Sequence, residues 1–285
     1  MKTTILADTL QFPESPRWRD GALWCCDLFA QRVVRVDLRG TVETVAEMPD
    51  TPTALGWTRE GQLLVVSANA RRLLRQAGDA FVEVADLSSL VSFPCNDMVV
   101  DGQGRAYIGN LGYDFGDPQA TPQPAPIVLV TPDGHARIVA DGLAFPNGMV
   151  ITPDGLTLIV AESHGARLTA FDIEPDGSLS HRCIWAQLDV GGSAEGGITP
   201  DGMCLDAEGA VWVASPNTRD VVRVREGGTI TDRISVDAVP LACMLGGLQR
   251  RTLFITTTES LEPSDGIAKG RLETIEVDVS GAGLP

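Results

Sequence analysis

Six short segments of this chain share one phase. Each starts four residues ahead of a large or branched apolar residue, on what reads as the first strand of a small β unit. They are Glu14-Ser-Pro-Arg-Trp18, Thr53-Ala-Leu-Gly-Trp57, Asn96-Asp-Met-Val-Val100, Asn147-Gly-Met-Val-Ile151, Asp201-Gly-Met-Cys-Leu205 and Leu241-Ala-Cys-Met-Leu245. The starts lie 39, 43, 51, 54 and 40 residues apart, close to the roughly 40–50 residue period of four-stranded propeller blades. A unit of that length cannot bury its apolar strands alone, so the copies must pack on one another.

Each copy follows a common grammar. An apolar strand meets a Gly turn and returns as a second β-rich strand, as in Arg19-Asp-Gly21 before Ala22-Leu-Trp24 and Asp206-Ala-Glu-Gly209 before Ala210-Val-Trp-Val213. Gly supplies the positive φ such hairpins need. Third strands follow at 32–37, 167–172 and 221–224, and weaker fourth strands at 42–45 and 138–140. No stretch holds a helical period with caps at both ends. The expectation is an all-β fold: a single domain over residues 1–285, a six-bladed β-propeller of four-stranded antiparallel blades with a central metal site. Pairing of Thr3-Thr-Ile-Leu-Ala7 with the last copy, near 272–279, would cover an open edge and close the ring.

Composition narrows the partners. With 22 Lys and Arg against 38 Asp and Glu, the net charge of −16 repels phosphate backbones and anionic membranes. Neither nucleic acid nor membrane is expected as a partner; a small-molecule substrate is. The first residues lack the apolar core of a secretory signal and no run of about 18 apolar residues occurs, so the chain reads as cytoplasmic. Six scattered cysteines with no CxxC pair argue for reduced thiols, Cys204 and Cys243 as small buried hydrophobes. The oligomeric state is left open.

In a ring, the six segment starts surround one mouth of the channel. Proline precedes five of them, at 13, 52, 146, 200 and 240, with Cys95 the exception; it fixes an extended approach to the strand. Glu14, Asn96, Asn147 and Asp201 then bring two carboxylates and two amides together. This hard-oxygen set suits one divalent cation, Ca²⁺ foremost, with Mg²⁺, Mn²⁺ or Zn²⁺ as alternatives. Thr53 and Leu241 interrupt the oxygens and leave room for water and a substrate. Capping of nearby backbone explains any one of these side chains, but not four at one phase.

The chain resembles the regucalcin (senescence marker protein 30)/gluconolactonase family of six-bladed propellers. The resemblance rests on Phe12-Pro-Glu-Ser-Pro16, on Asn96-Asp97-Met-Val-Val-Asp101 with Gly104-Arg-Ala-Tyr-Ile-Gly109, on Asn147-Gly148, and on Pro200-Asp-Gly-Met-Cys-Leu-Asp206 running into Gly209-Ala-Val-Trp-Val-Ala214. It implies that Glu14, Asn147 and Asp201 bind a divalent metal and that Asn96 adds a ligand or substrate contact. It further implies that Asp201 is the general base for hydrolysis of a lactone to a hydroxy acid. Sugar lactonases of the family carry Arg two residues before the Asn-Asp pair. Here that position is Pro94, followed by Cys95, which makes a less polar lactone or ester the better expectation.

Around the same mouth, Cys95, Tyr113 and His164 are candidate substrate contacts, with Asn69, Asp114, Asn217 and Glu259 on neighbouring loops. The stretch Leu111–Pro126, rich in Gly and Pro, is long enough for a lid, and Ser260–Gly270 is a second candidate wall. Two alternatives share the scaffold: a metal-dependent hydrolase of another ester or organophosphate, and a non-enzymatic propeller holding Ca²⁺ as a plug.

Overall fold

A computed structural model describes residues 2–114, 119–188, 197–261 and 269–283. They form six antiparallel sheets of four strands each. Blade 1 comprises Pro13–Arg19, Ala22–Asp27, Arg32–Val36 and Val42–Glu47; blade 2 comprises Pro52–Trp57, Leu63–Ser67, Arg72–Ala77 and Ala80–Asp86. Blades 3, 4 and 5 begin with Cys95–Val100, Pro146–Ile151 and Met203–Leu205. Blade 6 is assembled from both ends of the chain: Val239–Gly246, Thr252–Thr258, Gly270–Glu276 and the N-terminal strand Thr4–Leu10. The pairing of Thr4 with Thr274 and of Leu10 with Gly270 is the expected closure.

The first strands of successive blades touch one another all the way round, so they line the axis. Apolar clusters fill the gaps between blades: Cys26, Leu55 and Val65 between blades 1 and 2, Met98, Ile108 and Leu87 between 2 and 3, Tyr107, Leu158 and Phe171 between 3 and 4. Because each sheet is covered on both faces, second strands such as Leu63–Ser67 and Val211–Ser215 are buried at every residue and read as continuous apolar runs. Trp18 stacks on Phe254 across blades 1 and 6 at 5.3 Å. The turn glycines Gly21, Gly155 and Gly209 take φ of 76°, 74° and 78°, as the turn chemistry requires. Val91 N–H bonds Leu87 O, closing a single turn between the last strand of blade 2 and the first of blade 3. Among the described residues no helix is long and apolar enough to cross a membrane.

Glycines set how closely the axial strands approach. A Cβ on Gly148 would lie 2.5 Å from Asp201 O, and one on Gly202 would lie 2.2 Å from the Ala242 Cβ. Both glycines directly follow a ring residue, so Asn147-Gly and Asp201-Gly are demanded by packing between blades 4, 5 and 6.

Candidate functional site

The ring residues sit where the ladder slips. Pairing between first and second strands is irregular between Glu14 and Arg17, Pro52 and Ala54, Cys95 and Met98, Pro146 and Met149, and Pro240 and Ala242. In blade 5 regular pairing begins only at Met203, two residues after Asp201. Such bulges re-aim side chains beside sites. Glu14, Thr53, Asn96, Asn147 and Asp201 are each half-buried, whereas Leu241 is buried.

Hydrogen bonds tie the ring from blade to blade. Thr53 Oγ1 donates to Asn96 O at 3.1 Å, Asn96 Nδ2 to Pro146 O at 3.2 Å, Asn147 Nδ2 to Ser163 Oγ at 3.2 Å, and Ser163 Oγ to Pro200 O at 2.7 Å. Asn96 and Asn147 thus spend donors on the scaffold, which orients their amide oxygens. Ser163 was not singled out by the repeat phase, since it lies after the second strand of blade 4.

The carboxyls are short of positive charge. Burial pushes the Glu14 carboxyl well above the usual carboxylate range, and the charges of Asp201 and Asp97 push it further. Asp201 is raised chiefly by burial and then by Asp97, against hydrogen bonds from the Asn147 side chain and the Gly202 N–H. Asp97 is itself raised by burial, offset by Arg17, the Met98 N–H and Ser15. Its Oδ1 accepts from Ser15 Oγ at 3.2 Å, Arg17 Nη2 at 3.3 Å and Met98 N at 2.7 Å. Asp97 and Arg17 therefore form a buried pair next to the ring and couple blades 1 and 3. The sequence carried a signal for Asp97: one residue past the ring position the other blades have Ser15, Ala54, Gly148, Gly202 and Ala242.

Oxygen donors alone, two of them carboxyls that resist joint ionisation, fit a hard divalent cation, which would relieve their repulsion. Among the described residues no three His, Cys, Asp or Glu side chains form a metal cluster; the ring combines two such residues with two amides.

A second register supports the first. The last residue of each second strand is buried and polar: Asp27, Ser67, Asn110, Glu162, Ser215 and Thr258. Five of these bond the segment leading into the ring residue of their own blade, Ser67 Oγ through the Asp50 carboxyl at 2.7 Å. Asp27 Oδ1 accepts from Gln11 and Phe12 N–H at 2.9 Å; Asn110 Nδ2 donates to Pro94 O at 2.9 Å. Glu162 Oε2 accepts from Ala144 N–H at 2.8 Å, and Ser215 Oγ from Thr199 N–H at 3.2 Å. Burial opposes the charge on Glu162, but bonds from Arg167, Thr169 and the Ala144 N–H more than offset it and hold the carboxyl down at about 2.

The outer candidates divide. His164 stands exposed against Phe145, ring centroids 4.8 Å apart, and Tyr113 lies 5.8 Å from both. Burial lowers the His164 pKa and raises that of Tyr113. Phe145 takes φ of 61°, a left-handed conformation that is costly for a bulky residue and is concentrated at functional sites. Cys95 departs from expectation. At 1% exposure it packs with Leu87, Val91 and Val128, and burial pushes its thiol up to about 12. Facing the core between blades 2 and 3, it is no substrate contact.

Asn69 is bonded to Asp50 and Thr51, Asn217 to Thr199, and Glu259 to Arg271. Within the lid candidate, 115–118 lie outside the described residues, as do 262–268 of the second wall.

Residues 12–259 match the family model of the SMP-30/Gluconolactonase/LRE-like region. A 6-deoxy-6-sulfogluconolactonase of Pseudomonas putida is 25% identical over 285 residues, covering 95% of this chain and 93% of its own. A luciferin-regenerating enzyme superposes with a TM-score of 0.83 at 14% identity, covering 99% of each chain. A calcium-binding protein, regucalcin, of Agrobacterium tumefaciens C58 superposes with a TM-score of 0.75 at 19% identity, covering 99% of this chain and 98% of that one. The six-bladed, four-stranded all-β architecture is shared with these structures.

Proposed function

This chain belongs to the SMP-30/gluconolactonase/LRE-like family, and from that premise we propose that it hydrolyses a lactone, or a related cyclic ester, to a hydroxy acid. One divalent cation, Ca²⁺ foremost, would be held by Glu14, Asn147 and Asp201 with Asn96. The observation that carries this reading is the convergence of Glu14 and Asp201, two half-buried residues close enough for the charge of Asp201 to oppose ionisation of Glu14, beside two oriented amides. The P. putida relative, a lactonase by name, supports the choice of bond.

The bound cation would polarise the carbonyl and acidify water. Asp201 is the general base. It takes a proton from water as the water oxygen attacks the carbonyl carbon. When the ring C–O bond breaks, Asp201 returns that proton to the departing alkoxide, which leaves a hydroxy acid. Asn147, held by Ser163, keeps its amide beside Asp201 throughout. Leu241 presents no oxygen and limits the donor set on its side. His164, its pKa lowered by partial burial of the ring, can accept a hydrogen bond from substrate in its neutral form.

Acid release measured in a pH-stat, on a lactone panel with wild type and Asp201→Asn, tests this. Hydrolysis in the wild type that falls at least 100-fold in the variant is expected. Cation binding with no turnover of any lactone would instead assign the ring a structural role.

A further inference from the structure

We propose that the mouth selects a lactone whose non-reacting part is apolar, an alkyl or aryl group, and that Phe12, Phe29, Phe145 and Tyr113 form the collar that selects it. The inference rests on the lactonase reading of the same site.

Three blades carry Phe-Pro at the approach to a proposed ligand: Phe12-Pro13-Glu14, Phe93-Pro94-Cys95-Asn96 and Phe145-Pro146-Asn147. In each case a buried polar residue ending the second strand pins the approach: Asp27 at the Phe12 N–H, Asn110 at Pro94 O, Glu162 at the Ala144 N–H. The backbone that carries each ring is therefore held by the scaffold. Phe12 lies 4.8 Å from Phe29, which is 48% exposed. Phe145 forms a cluster with Tyr113 and His164, at 5.8 and 4.8 Å. One aromatic group thus stands two residues from Glu14 and the other two residues from Asn147. Aromatic surface left open to water favours an apolar occupant.

Among the described residues, the arginines at the mouth are largely committed to the protein itself. The arginines on its turns are spent on protein acceptors: Arg32 on Asp27 at 2.9 Å, Arg167 on Glu162 at 2.8 Å, and Arg219 on Asp237 O at 2.9 Å. Arg71 Nη1 reaches the carbonyls of Val91 and Ser92, while its Nε is buried without a hydrogen-bond partner. Pro94 offers no donor two residues before Asn96. Each sugar hydroxyl taken from water without a partner costs free energy, whereas an alkyl or aryl group asks for none.

The test uses two ligand pairs on the metal-replete full chain. Hydrolysis compares 5-phenyl-δ-valerolactone with D-glucono-1,5-lactone; binding compares the corresponding non-hydrolysable lactams by calorimetry. At least tenfold higher kcat/KM for the phenyl lactone and tenfold tighter binding of the phenyl lactam are expected. Phe145→Ser and Phe12→Ser should each weaken the phenyl lactam about tenfold and leave the glucono lactam unchanged. Equal or tighter binding of the glucono lactam, or binding of neither, overturns the collar. Gluconolactone turned over in preference to the phenyl lactone overturns the collar and leaves the lactonase reading standing. A tight phenyl lactam with no lactone hydrolysed upholds the collar and removes the lactonase reading.

Discussion

Asp201 of blade 5 lies near enough to Glu14 of blade 1 that its negative charge raises the Glu14 pKa, on top of the rise due to burial. Two carboxyls in that relation destabilise the protein when both ionise. Without cation, Glu14→Gln and Asp201→Asn should therefore melt no lower than wild type at pH 8, and should lose the thermal stabilisation that Ca²⁺ gives the wild type. The sign follows from folded pKa values above the unfolded ones: stability is full below the unfolded value of about 4 and is lost as pH rises through the folded pKa. Thermal melts with and without Ca²⁺ check it; a Ca²⁺ shift of wild-type size in both variants would contradict it.

Ser163 accepts from Asn147 and donates to Pro200 O, so it joins two proposed ligands through the scaffold. Ser163→Ala leaves a buried carbonyl unpaired at a cost of about 1–2 kcal/mol. Turnover should fall roughly tenfold, mainly in kcat, with Ser163→Thr restoring most of it because the hydroxyl is kept. Steady-state kinetics decide, and equal loss in both variants would refute the positioning role.

Glu162 holds its charge down to about pH 2. A depressed folded pKa contributes stability that is present above the unfolded value of about 4.5 and is lost as pH falls towards 2. Glu162→Gln should lower Tm at pH 7, with the gap to wild type closing between pH 5 and 2. A gap independent of pH would show that the ionised carboxylate is not what matters.

The N-terminal strand closes blade 6, with Ala7 and Leu10 buried against it. Deleting residues 2–10 opens the edge of Gly270–Glu276 to pairing with other chains. Aggregation or a loss of cooperative unfolding is expected in size-exclusion chromatography and thermal melts; a truncated chain that melts like wild type would deny the closure any role in stability.

Much of this was legible in the residues. The spacing of Glu14, Thr53, Asn96, Asn147, Asp201 and Leu241 gave the blade count, because one unit repeats and each copy must pack on the next. Glycine turns marked where first strands return, and the apolar strand at each end of the chain foretold the closure. Side-chain direction was harder. Cys95 stands beside Asn96 in sequence yet faces the core, because successive side chains on a strand point to opposite faces. The pins were missed for a related reason. Asp27, Asn110 and Glu162 end strands that otherwise read as apolar, and a single polar residue there looks like a turn. Asp97 was visible as the one large charged residue following a ring position, but its pairing with Arg17 spans 80 residues.

The account stands most directly on turnover during cation titration. Chelator-stripped wild-type protein should have no lactonase activity and should regain it with one equivalent of divalent cation per chain, while Glu14→Gln and Asp201→Asn regain none at the same concentration. Hydrolysis undiminished by stripping, or restored equally in Asp201→Asn, would contradict the claim that Glu14, Asn96, Asn147 and Asp201 form the catalytic cation site.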